Sequence, residues 1–235
     1  MRVLLTGATS PIGQEIAVNL AKKGYDLVLQ YCKNQEKAIA LSKTCAEYSV
    51  KTDILQADFS RSEGIESFTE KYLTRYSETF GFINNASRYL LKGPLETTLE
   101  DFDKILSTNL CMPFAVTRSL APLLKKQKGF IVHVGVAGLG AFRADTYSTA
   151  YTLSKQALYS LTKSFAKELA KDTVRVNMLS LGYFSYSLDL PDLQSLPMKK
   201  VVSSQEFIKA LFYLIDSENQ SLTGHNLELS GAVRL

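Results

Sequence analysis

With 235 residues, 46% of them hydrophobic and 21% charged, the chain has the make-up of a soluble globular enzyme and enough length for one large α/β core. Its net charge of +4, from 27 basic against 23 acidic residues, is too slight to indicate nucleic acid, and the short basic runs Lys125-Lys126-Gln127-Lys128 and Lys199-Lys200 read as solvated faces. Three cysteines (Cys32, Cys45, Cys111) without CxxC spacing and only two histidines (His133, His225) supply no zinc set, so no metal is expected and a reduced, cytoplasmic setting is the default.

Met1-Arg2-Val3-Leu4-Leu5 runs straight into Thr6-Gly7, which leaves no room for the apolar segment of a signal peptide, and no stretch is long enough to span a bilayer. Short apolar runs then alternate with amphipathic stretches. Val3–Leu5 reads as a buried strand, and Ile12–Lys23 as a helix with apolar spacing at Ile12, Ile16 and Leu20 that stops at Gly24. Strand Asp26–Tyr31, helix Glu36–Tyr48, strand Lys51–Ala57, helix Ser62–Tyr76 and strand Phe80–Asn84 follow. Thr98–Lys126 is a long helical stretch in which Pro113 and Pro122 predict a kink or break. Strand Gly129–Gly135, helix Ala150–Lys171, strand Val174–Leu179, helix Ser204–Ile215 and strand Asn226–Leu229 complete the series. Seven strands separated by helices imply right-handed crossovers and a doubly wound, Rossmann-type α/β fold, its seven-stranded sheet mostly parallel and covered on both faces. No repeat or interdomain linker interrupts it, so residues 1–235 are expected to form a single domain. The least regular piece, Gly182–Ser203 with Pro191 and Pro197, reads as a loop and short helix.

The turn Thr6-Gly7-Ala8-Thr9-Ser10-Pro11-Ile12-Gly13 joins the first strand to the first helix, where a helix N-terminus can face a pyrophosphate. Gly7 permits the tight turn and Gly13 a close helix–strand approach; Pro11 suits a first helical turn but donates no N–H. The second strand ends in Gln30-Tyr31-Cys32-Lys33-Asn34, with no carboxylate before Glu36. An acidic group there would bind the ribose hydroxyls and repel a 2′-phosphate, so NADP(H) is preferred over NAD(H). Lys33 is either a phosphate partner or an exposed loop lysine, and Tyr31 is placed near adenine or ribose. Tyr151-Thr152-Leu153-Ser154-Lys155 sets a phenol and an ammonium at i and i+4 on one helical face. A nearby cation stabilises phenolate, which lets a phenol of ordinary pKa about 10 exchange a proton near neutrality.

Taken in order, these motifs make the whole chain resemble the short-chain dehydrogenase/reductase family. The phosphate turn is similar to TGxxxGxG with Pro11 at the middle glycine, Asn84-Asn85-Ala86-Ser87 to NNAG, Ala150-Tyr151-Thr152-Leu153-Ser154-Lys155 to AYSASK, and Thr223-Gly224-His225 to the ITGQ near the end. The resemblance implies an oxidoreductase that transfers hydride between nicotinamide and a small carbonyl or alcohol substrate. It implies Tyr151, Lys155 and Asn109 as catalytic residues, Tyr151 being the acid/base, Lys155 also holding the nicotinamide ribose, and Asn109 holding a water that links the lysine to solvent. Cofactor contacts are implied at Gly7, Ser10, Ile12, Gly13, Asp58, Phe59, Asn85, Ala86, Ser87, Lys155 and Gly182, with the Asp58 carboxylate accepting from the adenine amino group. A homodimer or homotetramer paired through the fourth and fifth helices is implied as well.

The chain departs from the pattern at its fifth strand. Gly135 and Val136 stand where the family carries serines, which removes a donor to the substrate oxygen worth about 2.7–4 kcal/mol. Thr146, Ser148 or Thr149, in a loop about two residues longer than usual, are the candidate replacements, Ser148 first among them. His133 reads as a core or loop-supporting residue. After the sixth strand, Leu181 and Tyr186 replace a proline and a threonine, with Ser185 or Ser187 as substitutes. Residues 30–38 resemble 3-oxoacyl-carrier-protein reductases, whereas residues 54–60 and 84–87 resemble pteridine reductases, which implies C=N reduction as an alternative. A non-catalytic NADP-binding member is the second alternative. The aromatic and leucine-rich loop Tyr183–Leu196 serves either as a substrate cover or to pack itself down.

Overall fold

The computed structural model describes residues 1–141 and 144–233. In chain order it contains β1 (Arg2–Thr6), α1 (Pro11–Lys22), β2 (Asp26–Tyr31), α2 (Gln35–Ala46), β3 (Thr52–Gln56), α3 (Ser62–Arg75), β4 (Gly81–Asn84), α4 (Leu99–Leu106), α5 (Met112–Gln127), β5 (Phe130–Val136), α6 (Thr149–Leu169), β6 (Arg175–Leu181), α7 (Ser204–Ile215) and β7 (Asn226–Leu229). The strands lie in the order β3-β2-β1-β4-β5-β6-β7, and every pairing is parallel. No helix among the described residues is long and apolar enough to cross a membrane.

Alternation along each strand divides the core between the two faces of the sheet. Val3, Leu5, Leu27, Leu29, Val132 and Leu179 pack with Ile16 and Leu20 of α1 and with Phe207 and Leu211 of α7. Leu4, Val28, Phe82, Ile131 and Val176 face the other way, against Phe68 and Tyr72 of α3, Val116 and Leu120 of α5, and Ala166 and Leu169 of α6. The winding reverses between β1 and β4, whose ends pair at Thr6 and Asn84, so the crevice beyond those ends lies at a topological switch point.

The stretch read as one helix over residues 98–126 is α4 and α5 joined by a single π turn, Ser107–Cys111. In an unbroken α-helix the carbonyl of Asn109 would accept from the N–H of residue 113, and Pro113 has none. Pro122 does not break α5. Both it and Arg118, whose carbonyl loses its donor, lie on the exposed side, where the carbonyl is open to solvent.

His133 sits in the middle of the sheet between Asn84 and Met178. It is fully buried, its ring stands edge-on to Phe82, and neither ring nitrogen has a hydrogen-bond partner. Burial, with the charge of Lys155 second, pushes its pKa down to about 3, so it is a neutral core residue.

Candidate active site

The phosphate turn is braced from three sides. Gly7 has φ +64°, and a Cβ there would lie 2.9 Å from the backbone of Ala86. A Cβ on Gly13 would lie 2.3 Å from the Gly7 carbonyl. Ser10 caps α1: its hydroxyl donates to the Gly7 carbonyl (2.9 Å) and accepts from Gly13 N–H (3.1 Å). The Asn85 amide donates to the Gly7 carbonyl (2.9 Å) and to Ser10 Oγ (3.1 Å), so its side chain holds the turn in shape. Buried Gln30 accepts from Gly7 N–H (2.9 Å) and donates to the Ala57 carbonyl (2.9 Å). The N–H groups of Gly7, Ala8, Ser10, Gly13 and Gln14 are thus all internally bonded. With Pro11 lacking one, Thr9 and Ile12 remain to meet a phosphate.

Beside this turn lies a cavity of about 360 Å³ lined by Gly7, Ser10, Asp58, Phe59, Asn85, Ala86 and Ser87, which brings together seven of the expected cofactor positions. Tyr31 is not among its walls. Alternation along β2 turns Gln30 and Cys32 toward the cavity and buries Tyr31 on the opposite face, which corrects its expected place beside the adenosine. Lys33 is exposed at the rim rather than lining the wall. Asp58 is held below the usual carboxylate range first by the Ser60 N–H, then by the nearby charges of Lys33 and Arg88. Arg88 lines the same cavity and escaped the sequence reading.

A second cleft, of about 330 Å³, opens beyond β4, β5 and β6 and is lined by Ser10, Ile12, Asn85, Tyr151, Lys155 and Gly182, among others. Tyr151 and Lys155 share one face of α6, with the lysine Nζ 5.6 Å from the tyrosine ring centre. Lys155 is buried and donates to the Val134 carbonyl (2.8 Å); burial lowers its pKa to about 8. Asn109, in the π turn, has a fully used side chain: it donates to the Arg88 carbonyl and Ser154 Oγ (both 2.9 Å) and accepts from Arg88 N–H (2.7 Å) and the Ser87 hydroxyl (3.3 Å). No capacity is left in that amide to hold a water, while Pro113 offers the Asn109 backbone carbonyl no helical N–H.

Val136 and Gly135 line the cleft without a hydroxyl, as their positions imply. Ser148 does not line the cleft. Its side chain is buried and its hydroxyl donates to Asp145 Oδ2 (3.0 Å), because Asp145 forms a turn just before α6, accepting also from the N–H groups of Tyr147 (2.8 Å) and Ser148 (2.7 Å) and from the Thr152 hydroxyl. Burial alone would raise the Asp145 pKa, but the hydrogen bonds from Thr152, Ser148 and Tyr147 hold it low. Thr149 donates to the Asp145 carbonyl, and neither it nor Thr146 reaches the cleft.

The family description "short chain dehydrogenase" matches residues 1–190. The chain belongs to the short-chain dehydrogenase family. An uncharacterised Bacillus subtilis oxidoreductase, YmfI, is 26% identical over 97% of this chain and 96% of its own. The Staphylococcus epidermidis 3-oxoacyl-[acyl-carrier-protein] reductase FabG is 23% identical over 98% and 97%. Among solved structures, an actinorhodin polyketide ketoreductase variant with NADPH superposes with a TM-score of 0.87 at 25% identity, covering 99% of this chain and 97% of its own. NAD+-bound xylitol dehydrogenase gives 0.86 at 22%, covering 98% of each.

In this short-chain dehydrogenase the loop after β6 borders the cleft. Phe184 and Leu196 are buried and pin it down, with Phe184 packed between Tyr186 and Phe207. Tyr183, Tyr186 and Leu188 face the cleft, so the loop both packs itself and covers. Ser187 Oγ accepts from Phe184 N–H (2.9 Å) inside the loop, and Ser185 is exposed. Two further residues at the cleft were missed. The Tyr89 ring stands edge-on to Tyr151 with centroids 4.6 Å apart, and its hydroxyl donates to Asp189 Oδ2 (2.7 Å). Nothing in local spacing marks this pair, since 100 residues separate its members.

Proposed function

We propose that this short-chain dehydrogenase is an NADP(H)-dependent oxidoreductase of a small carbonyl or alcohol substrate, working as one dinucleotide-binding domain in a cytoplasmic homodimer or homotetramer. The observation that carries the reading is the pairing of Tyr151 and Lys155 on one face of α6, inside a cleft continuous with the phosphate turn at the switch point. The residues fit the cofactor: Gly7 and Gly13 leave no room for a Cβ, which keeps the turn tight against Ala86 and its own backbone, at the N-terminus of α1 where an anion is favoured. Thr9 and Ile12 N–H would hold the pyrophosphate, Asp58 the adenine, and Lys155 the nicotinamide ribose. The bound nicotinamide supplies or accepts the hydride.

Tyr151 gives its hydroxyl proton to the substrate oxygen during reduction and takes it back during oxidation. Lys155 is the adjacent cation. Its pKa of about 8 keeps it largely protonated at neutral pH, so it favours the phenolate that Tyr151 becomes after giving up its proton. The Asn109 carbonyl, denied its helical donor by Pro113, holds the water through which Lys155 reaches solvent. NADP preference is supported by the absence of a carboxylate at the end of β2 and by Lys33 and Arg88 beside the adenosine cavity. The exposed Phe114 and Leu153, on α5 and α6, suit the proposed pairing of subunits.

Calorimetric titration with both cofactors, repeated on Tyr151→Phe, tests the reading. NADPH should bind more tightly than NADH, and Tyr151→Phe should lose about 10²–10⁴-fold in turnover with NADPH affinity nearly unchanged. Equal affinities remove the NADP preference, and full activity of Tyr151→Phe removes the proton donor. The lack of a strand hydroxyl at Gly135 and Val136 favours a second reading, a non-catalytic NADP-binding protein. That reading becomes the better one if neither wild type nor Val136→Ser reduces any carbonyl, imine or pteridine.

A further inference from the structure

Tyr89 and Asp189 meet at the substrate end of the cleft, and the reaction described above gives them no task. Asp189 belongs to the loop after β6, is half-buried, and lines the cleft with Tyr89. Its Oδ2 accepts from the Tyr89 hydroxyl (2.7 Å), and the Tyr89 ring touches Tyr151 edge-on. One phenol therefore separates this carboxylate from the proton donor. Burial, then the hydrogen bond to Asp189 and its charge, raise the Tyr89 pKa, with Ser148 pulling slightly the other way, so Tyr89 stays a donor.

Asp189 and Lys155 are the charged side chains among the described residues that line the cleft. Lys155 is buried on its floor, committed to the Val134 carbonyl, and is no counter-ion for a group entering at the mouth. The cleft walls also include Val136, Tyr183, Phe184, Tyr186 and Leu188, largely apolar surfaces that screen a charge less than water does. A substrate carboxylate brought here meets a like charge with no cation to offset it. An amide, hydroxyl or ammonium meets an acceptor with lone pairs to spare, because a carboxylate accepts more bonds than the single one from Tyr89.

We infer that Asp189, held in place by Tyr89, is a specificity-determining group that selects carbonyl substrates carrying a hydrogen-bond donor or positive charge near the reacting carbon and rejects those carrying a carboxylate there. The inference rests on the reductase reading of the cleft.

Three probes on one skeleton test it: 3-oxobutanoate, its methyl ester and its amide. Each is titrated against NADPH-loaded protein by saturation-transfer NMR and, separately, assayed for NADPH oxidation. The amide should bind at least about tenfold more tightly than the carboxylate, with the ester between them. Asp189→Asn should bring amide and carboxylate within about threefold, chiefly by improving the carboxylate. Tyr89→Phe keeps the Asp189 charge and should keep the order amide over carboxylate, which separates the effect of charge from a disturbed loop. Equal binding of amide and carboxylate to wild type, a ratio unchanged in Asp189→Asn, or no binding of any probe overturns the inference. Binding in the expected ratio without NADPH oxidation by any probe overturns the reductase reading and leaves the selection by Asp189 standing.

Discussion

The Asn109 amide donates to the hydroxyl of Ser154 across 2.9 Å, and Ser154 donates to the carbonyl of Tyr151 at 2.6 Å. A π turn and the helix bearing the proposed proton donor are thereby joined through two buried side chains. Asn109→Ala would take the side-chain partner from the Arg88 N–H and carbonyl and the donor from Ser154 Oγ. It should cost about 2–4 kcal/mol of stability, against about 1 kcal/mol for Ser154→Ala. Urea unfolding of both variants checks the order, and a smaller loss in Asn109→Ala than in Ser154→Ala would refute the hub role.

The two positions without a hydroxyl differ sharply in room. A Cβ at Gly135 would lie 2.3 Å from Ser180 Oγ and 2.8 Å from the Met178 sulfur, both fully buried. Gly135→Ser should therefore unfold at lower denaturant, by about 1–3 kcal/mol from overpacking. Val136→Ser fits, restores a donor, and should raise turnover of a reducible carbonyl by about 10²–10³-fold, the scale of one such contact. No gain in Val136→Ser would mean that another group already serves the substrate oxygen.

For the cofactor, Lys33→Ala and Arg88→Ala should each weaken NADPH by about tenfold and leave NADH within about twofold. The double variant should bind the two cofactors alike. Fluorescence titration at two salt concentrations measures this, and a uniform loss for both cofactors would assign the residues to general electrostatics instead.

His133 carries a pH prediction. Its folded pKa of about 3 lies below the unfolded value of about 6.5, so the unfolded chain binds more protons between those limits. Its contribution to stability is complete above pH 6.5 and is lost as the pH falls toward 3, with a slope of up to about 1.4 kcal/mol per pH unit. His133→Asn should flatten unfolding curves between pH 6.5 and 4 by that slope. Lys155 works at the other end: its lowered pKa means the charged form is disfavoured in the fold, so its share of stability rises between about pH 8 and 10.5.

Strands buried on both faces and helices with apolar residues at turn spacing were legible because each pattern reflects a single local periodicity. Tyr151 and Lys155 were legible for the same reason, being four residues apart on one helix. Pro113 and Pro122 announced a break, but choosing between them required knowing that Arg118 faces water while Asn109 is buried. The surroundings of Ser148 carried a signal: Asp145, three residues before it, is a turn-forming carboxylate that accepts its hydroxyl. Tyr31 failed by one position, since a strand of period two points its neighbour Cys32 at the cavity instead. Tyr89, Asp189 and Arg88 left no trace because the fold, not the sequence, brings their loops to one place.

The turn after β1 keeps most of its N–H groups for itself, so a dinucleotide sitting on it would be gripped at its two ends and only lightly at its waist. A ligand tethered at two points owes its residence to each end raising the local concentration of the other. Cutting the cofactor in half should therefore forfeit far more than the contacts of the missing half. Either end letting go would start its departure, and spent cofactor would leave such a seat quickly.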